Sequence, residues 1–197
     1  MFFRQEIDME KTVEKIFTES ITAKQETLRK NLAYIVKSAE IIIEAFKNHH
    51  KLFFCGNGGS AADSQHIAAE FVGRFQKERN AWPAIALTTD TSALTALGND
   101  YNFDIVFSRQ LEALGQKDDV LVAISTSGNS KNVLEAVKKA KVIGIKTIGI
   151  TGGSGGQLAL LCDIAIIAAS SKTARIQESH LCIFHSLCEL VENSLTK

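Results

Sequence analysis

The chain has 197 residues, with 22 Lys and Arg balanced by 22 Asp and Glu and 45% apolar side chains. That composition supports one core of ordinary size, so a single domain over residues 1–197 is expected. With net charge zero and no cationic cluster, nucleic acid is not an expected partner. Asp163 interrupts the longest apolar run, Leu158 to Ala169, so no stretch reaches the roughly 18 residues of a membrane span. Residues Met1 to Glu6 have neither a basic n-region nor an apolar h-region, and a cytoplasmic protein is expected. Cys55, Cys162, Cys182 and Cys188 form no CxxC pair and read as buried, reduced thiols.

In chain order, residues 1–50 lack Gly and Pro and read as a pair of helices used for packing. Ile7, Val13, Ile16, Phe17 and Ile21 mark the first; Leu32, Ile35, Val36, Ala39, Ile42, Ile43 and Phe46 mark the second. From residue 51 the pattern changes to short, continuous apolar runs of the kind buried on both faces of a parallel sheet. These are 52–55, 84–87, 120–124, 147–150 and 164–167. Helices are expected between them at 60–75 and 131–143, and a long one closes the chain from Ala174 to Leu195. Strands alternating with helices predict a doubly wound, flavodoxin-like α/β fold with five parallel strands.

Ligands of such sheets lie beyond the carboxyl ends of the strands. After the first strand comes Gly56-Asn57-Gly58-Gly59-Ser60, whose glycines let backbone amides approach an anion at the start of a helix. Gly56, Gly58 and Ala61 also match a dinucleotide fingerprint, but no acidic residue ends the second strand to complete it. After the third strand, Ser125-Thr126-Ser127-Gly128-Asn129-Ser130 offers four hydroxyls for a phosphate, with Ser130 also placed to cap the next helix. A third loop, Thr151 to Gly156, reads equally as an anion loop or as a flexible connection. His66 and Glu70, four apart, project from one helix face and suit a metal, an acid–base pair or plain solvation. On the last helix, Gln177 and His185 are about 80° and 12 Å apart, whereas Glu178 and His185 share a face better. His180 and His185 each also read as ordinary structural histidines.

Four ordered blocks carry a resemblance: Cys55 to Glu70, Gly98-Asn99-Asp100, Ser125 to Ser130, and Arg175 to His180 with His185. Together they resemble the phosphoheptose isomerases, sugar-isomerase (SIS) domain enzymes that convert sedoheptulose 7-phosphate to a mannoheptose 7-phosphate for surface-glycan synthesis. The likeness runs from about residue 20 to the C-terminus. It implies that Asn57, Gly58, Gly59, Ser60, Asn99, Asp100, Ser125, Thr126, Ser127 and Ser130 contact the phosphosugar, with Glu70 and Gln177 close by. It implies one zinc per subunit on His66, Glu70, Gln177 and His185, so the resemblance selects Gln177 where helix spacing favours Glu178. It also implies a homotetramer with sites at subunit interfaces. An aldose–ketose isomerisation needs a base at a C–H bond, for which Glu70 is the candidate, and an acid on oxygen, for which His185 is. Glu70 cannot be a tight ligand and a free base at once, so either its coordination is loose or it shifts during turnover. Some SIS-domain relatives instead bind the bacterial replication initiator without turnover, which is the competing expectation.

Overall fold

A computed structural model describes residues 8–196, so the readings of Met1 to Ile7 lie outside the described residues. The first element is a single helix, α1 (Met9–Lys47), and not the expected pair. With no Gly or Pro to break it, the helix runs from Asp8, whose carboxylate accepts the Lys11 N–H at 3.1 Å, to Asn48. His49 then takes a left-handed φ of 62° and turns the chain into the sheet.

The remaining elements follow in order: β1 (Leu52–Cys55), α2 (Gly59–Val72), β2 (Ala84–Ala86), α3 (Thr91–Asp100), a 3-10 turn (Phe103–Ile105) and α4 (Val106–Leu114). Then come β3 (Val120–Ser125), α5 (Lys131–Ile143), β4 (Lys146–Gly152), α6 (Gly156–Leu161), β5 (Ile164–Ala168) and α7 (Thr173–Leu195). All strand pairs are parallel, in the order β2-β1-β3-β4-β5, with Phe54 opposite both Ala86 and Val122. The five predicted strands are all present. The helices α3, α4 and α6 were not foreseen: α3 and α6 offer little periodic sequence, whereas the Val106, Phe107, Leu111 and Leu114 stripe of α4 was a readable signal.

The continuous apolarity of the strands divides between two cores. Leu52, Phe54, Val120, Val122 and Ile124 face α1, α2 and α7, together with Ile42, Phe46, Phe71, Ile183 and Phe184. Phe53, Cys55, Leu121 and Ala123 face the other way, onto Phe107, Leu111, Val133 and Val137. Each of the buried Leu, Ile, Val and Phe side chains contributes about 1.5–3 kcal/mol. The open edge of β5 is covered by α1: Asn31 Nδ2 donates to the Ile167 carbonyl and its Oδ1 accepts the Ile167 N–H, both at 3.0 Å. Thr27 Oγ1 accepts the Ala169 N–H at 2.9 Å, so two side chains stand in for a sixth strand. Cys55 and Cys188 are buried and Cys162 is partly so, but Cys182 is exposed, contrary to the expectation for all four. Among the described residues, no helix is long and apolar enough to cross a membrane.

Candidate active site

The strand order reverses between β1 and β3, so the loops leaving these two strands border one crevice, the place where sheets of this type hold ligands. They are joined by a reciprocal amide pair. Asn57 Nδ2 donates to Asn132 Oδ1 at 2.8 Å, and Asn132 Nδ2 returns a bond to Asn57 Oδ1 at 2.9 Å. Asn132 is buried and was missed by the sequence reading, since an amide on a helix gives no periodic signal.

Neither α2, entered at Gly58, nor α5, entered at Ser130, has a side-chain cap. Ser60 N–H donates to the Asn57 carbonyl, Ala61 N–H to the Gly58 carbonyl and Val133 N–H to Asn132 Oδ1, whereas the N–H groups of Gly59, Lys131 and Asn132 have no partner among the described residues and, at positive helix ends, suit an anion. Ser130 holds the N-cap position but does not use its hydroxyl for capping; Ser125 Oγ and Ser130 Oγ lie 3.1 Å apart instead. Ser125 and Ser127 hydroxyls are 3.4 Å apart, and Ser127 Oγ accepts the Asn129 N–H at 3.2 Å. Thr126 is half-buried beside them, and Ser60 is buried at the start of α2. The third loop is a buttress. Leu158 N–H donates to the Gly128 carbonyl at 2.9 Å, and Gln157 N–H to Asn129 Oδ1 at 3.1 Å.

Further along α2, His66 Nε2 and Glu70 Oε1 are 3.2 Å apart. The His185 ring from α7 stands edge-on to His66, 5.5 Å between centroids, with the Phe75 ring 5.6 Å on its other side. Along the helix axis residue 66 lies about 10 Å, and residue 70 about 16 Å, beyond residue 59. Gln177 lies at the loop end: a Cβ placed on Gly59 would stand 2.3 Å from its Nε2. Glu178 is turned elsewhere. Arg175 Nη2 donates to its carboxylate and, with the Ser20 hydroxyl nearby on α1, holds it below the usual carboxylate range. The packing therefore gives α2 the Gln177 side chain and gives Glu178 to α1. His180 is buried, with Nε2 2.9 Å from the Thr151 carbonyl, and takes a structural place.

Asn99 and Asp100 end α3 as exposed residues, and their side chains bond each other at 2.9 Å. No hydrogen bond among the described residues joins them to the serine loop. Asp63, one turn before His66, was also missed. Burial raises its carboxyl above the usual range, against the pull of His66, and its Oδ2 is buried and unpaired among the described residues. Its i,i+3 spacing to His66 was a readable signal.

The donor set of imidazole, carboxylate and amide oxygen suits zinc chemically. Among the described residues, however, no group of three or more His, Cys, Asp or Glu side chains is gathered closely enough to hold a metal.

A parallel sheet with two uncapped helices and a hydroxyl cluster at its switch point marks an anion-suited α/β class, and the SIS-domain profile matches residues 16–152. A phosphoheptose isomerase of Nitratiruptor sp. is 55% identical over 189 residues, 95% of each chain. The solved phosphoheptose isomerase of Neisseria gonorrhoeae is 47% identical, with TM-score 0.89 over 94% of this chain and 99% of that one. That of Francisella tularensis is 38% identical, with TM-score 0.91 over 95% and 100%. The chain belongs to the phosphoheptose isomerase family.

Proposed function

We propose that the chain converts sedoheptulose 7-phosphate to D-glycero-D-manno-heptose 7-phosphate through an enediol. The carrying observation is a hydroxyl cluster at the carboxyl end of β3 together with, on α2, Glu70 paired to His66 and the His185 ring of α7 beside them. The uncapped N-termini of α2 and α5, with Ser125, Thr126, Ser127 and Ser130, hold the phosphate and so fix the sugar. Glu70 takes the proton from the carbon beside the carbonyl and returns it to the neighbouring carbon. His185 moves the proton between the two oxygens. Each group contributes about 10²–10⁴-fold. Asn57 to Ser60 and Gln177 line the sugar, with Asn99 and Asp100 as further contacts.

Zinc is the proposed cofactor. His66, Glu70, Gln177 and His185 would have to draw closer than they stand among the described residues to hold it, with Glu70 coordinating loosely or shifting during turnover, and a bound zinc would polarise a carbonyl as a Lewis acid. A homotetramer is proposed because Val13, Phe17, Ile21, Leu28 and Leu32 of α1 are all more than half exposed, an apolar surface that single chains seldom leave in water. Free thiols suit a cytoplasmic setting.

The test is purified protein with sedoheptulose 7-phosphate, wild type against Glu70→Gln. The variant should lose turnover while the phosphosugar still raises its melting temperature. Full turnover by Glu70→Gln would refute the base assignment. Activity untouched by complete chelation would remove zinc from the reaction, and a light-scattering mass of one chain would remove the assembly.

A further inference from the structure

The segment between α2 and β2 is held by a buried ion pair that the sequence reading did not single out. Arg79 and Glu192 have side chains 4% and 2% exposed, with Nε and Oε1 3.1 Å apart. Glu192 accepts the backbone N–H groups of Phe75 at 3.1 Å, Gln76 at 2.7 Å and Lys77 at 2.9 Å. Arg79 donates Nη2 to the Glu70 carbonyl at 2.8 Å, and Nη1 to the carbonyls of Phe71 at 2.9 Å and Gly73 at 3.2 Å. Its guanidinium lies 3.7 Å over the Trp82 ring.

The groups gathered here are those that carry the reactive side chains. The Glu70 and Phe71 carbonyls belong to the last turn of α2, where a helix has no N–H left to offer them. Glu192 lies seven residues beyond His185 on α7, two turns along the same face. Phe75, whose N–H Glu192 holds, packs its ring against His185. One guanidinium–carboxylate pair therefore ties the end of α2, the face of α7 and the aromatic wall of His185 into a single rigid unit.

We propose that Arg79, acting with Glu192, is a positioning residue for the isomerisation: it fixes Glu70 and, through Phe75, the His185 ring at the separation that proton transfer requires. The inference rests on the assignment of Glu70 and His185 made above. A lysine cannot replace the planar fork, because its compact ammonium cannot reach a carboxylate and several carbonyls in fixed directions.

The experiment compares Arg79→Lys and Glu192→Gln with Val137→Ala, a buried position in the core on the opposite face of the sheet. Each is assayed with sedoheptulose 7-phosphate well below its own melting temperature, alongside Glu70→Gln. Displacements of the order of 1 Å cost about 10²-fold in rate. The two clamp variants should accordingly lose about 10–100-fold in kcat with KM unchanged, since the serine loop is untouched. Val137→Ala should keep both constants despite its lost stability. Clamp variants that keep the wild-type kcat while folded would overturn the inference. If Arg79→Lys does not fold, the kcat of Glu192→Gln decides. Turnover retained by Glu70→Gln would bring down the assignment and the inference with it; turnover lost by Glu70→Gln alone would leave the assignment standing and bring down only the inference.

Discussion

Gly128 lies where the serine loop meets its buttress. Its φ is +67°, and a Cβ there would stand 2.0 Å from the Gly155 carbonyl oxygen and 2.9 Å from Thr151 Oγ1. Gly153 has a similar φ of +60°, but nothing lies within 4 Å of its Cβ position. An alanine at either site meets the left-handed penalty of about 1–2 kcal/mol, offset by about 0.4–1 kcal/mol from a stiffer unfolded chain. Gly128→Ala adds the clash with backbone that cannot swing aside, about 1–3 kcal/mol. For a chain of this length, 1 kcal/mol is worth about 2–4 °C. Gly128→Ala should therefore melt roughly 2–12 °C below Gly153→Ala, in calorimetry under identical conditions. Its KM for sedoheptulose 7-phosphate should also rise, because the backbone shift falls between Ser127 and Ser130. Equal melting temperatures for the two variants would refute the argument that Gly128 is required by contact and not by φ alone.

Asn132→Ala strips Asn57 of its amide partner, so about 1–3 kcal/mol of stability should go and KM should rise; thermal melts and initial rates check both, and unchanged values would show the amide pair to be idle. Burial holds the His180 imidazole below its usual range, against the raising effect of its bond to Thr151. The unfolded chain therefore takes up a proton below about pH 6.5 that the native protein resists, and stability falls as pH drops, by at most about 1.4 kcal/mol per pH unit. A melting series from pH 7 to pH 5 should be flatter for His180→Asn; parallel curves would contradict the assignment.

Leu52 to Cys55 and Val120 to Ile124 were legible as strands because burial on both faces leaves no polar position in them. The loops after β1 and β3 were legible too, since glycines and hydroxyls at a strand-to-helix junction have a local chemical meaning. His66 and Glu70 share a helix face by spacing alone. The single α1 was not legible as such: its apolar positions read as two stretches, Ile7 to Ile21 and Leu32 to Phe46, with the mostly polar Thr22 to Thr27 between them, although nothing there breaks a helix.

By itself, then, the amino-acid order determined the element types, the anion-suited loops and the His66–Glu70 pair, because each depends on residues a few positions apart. The tertiary structure alone decided which distant pieces meet. Sheet order set Asn57 against Asn132, 75 residues away. The packing of α7 on α2 set Gln177 against Gly59 and brought His185 to His66. Arg79 found Glu192 across 113 residues. Such meetings follow from how whole faces fit together, and no local period carries that information.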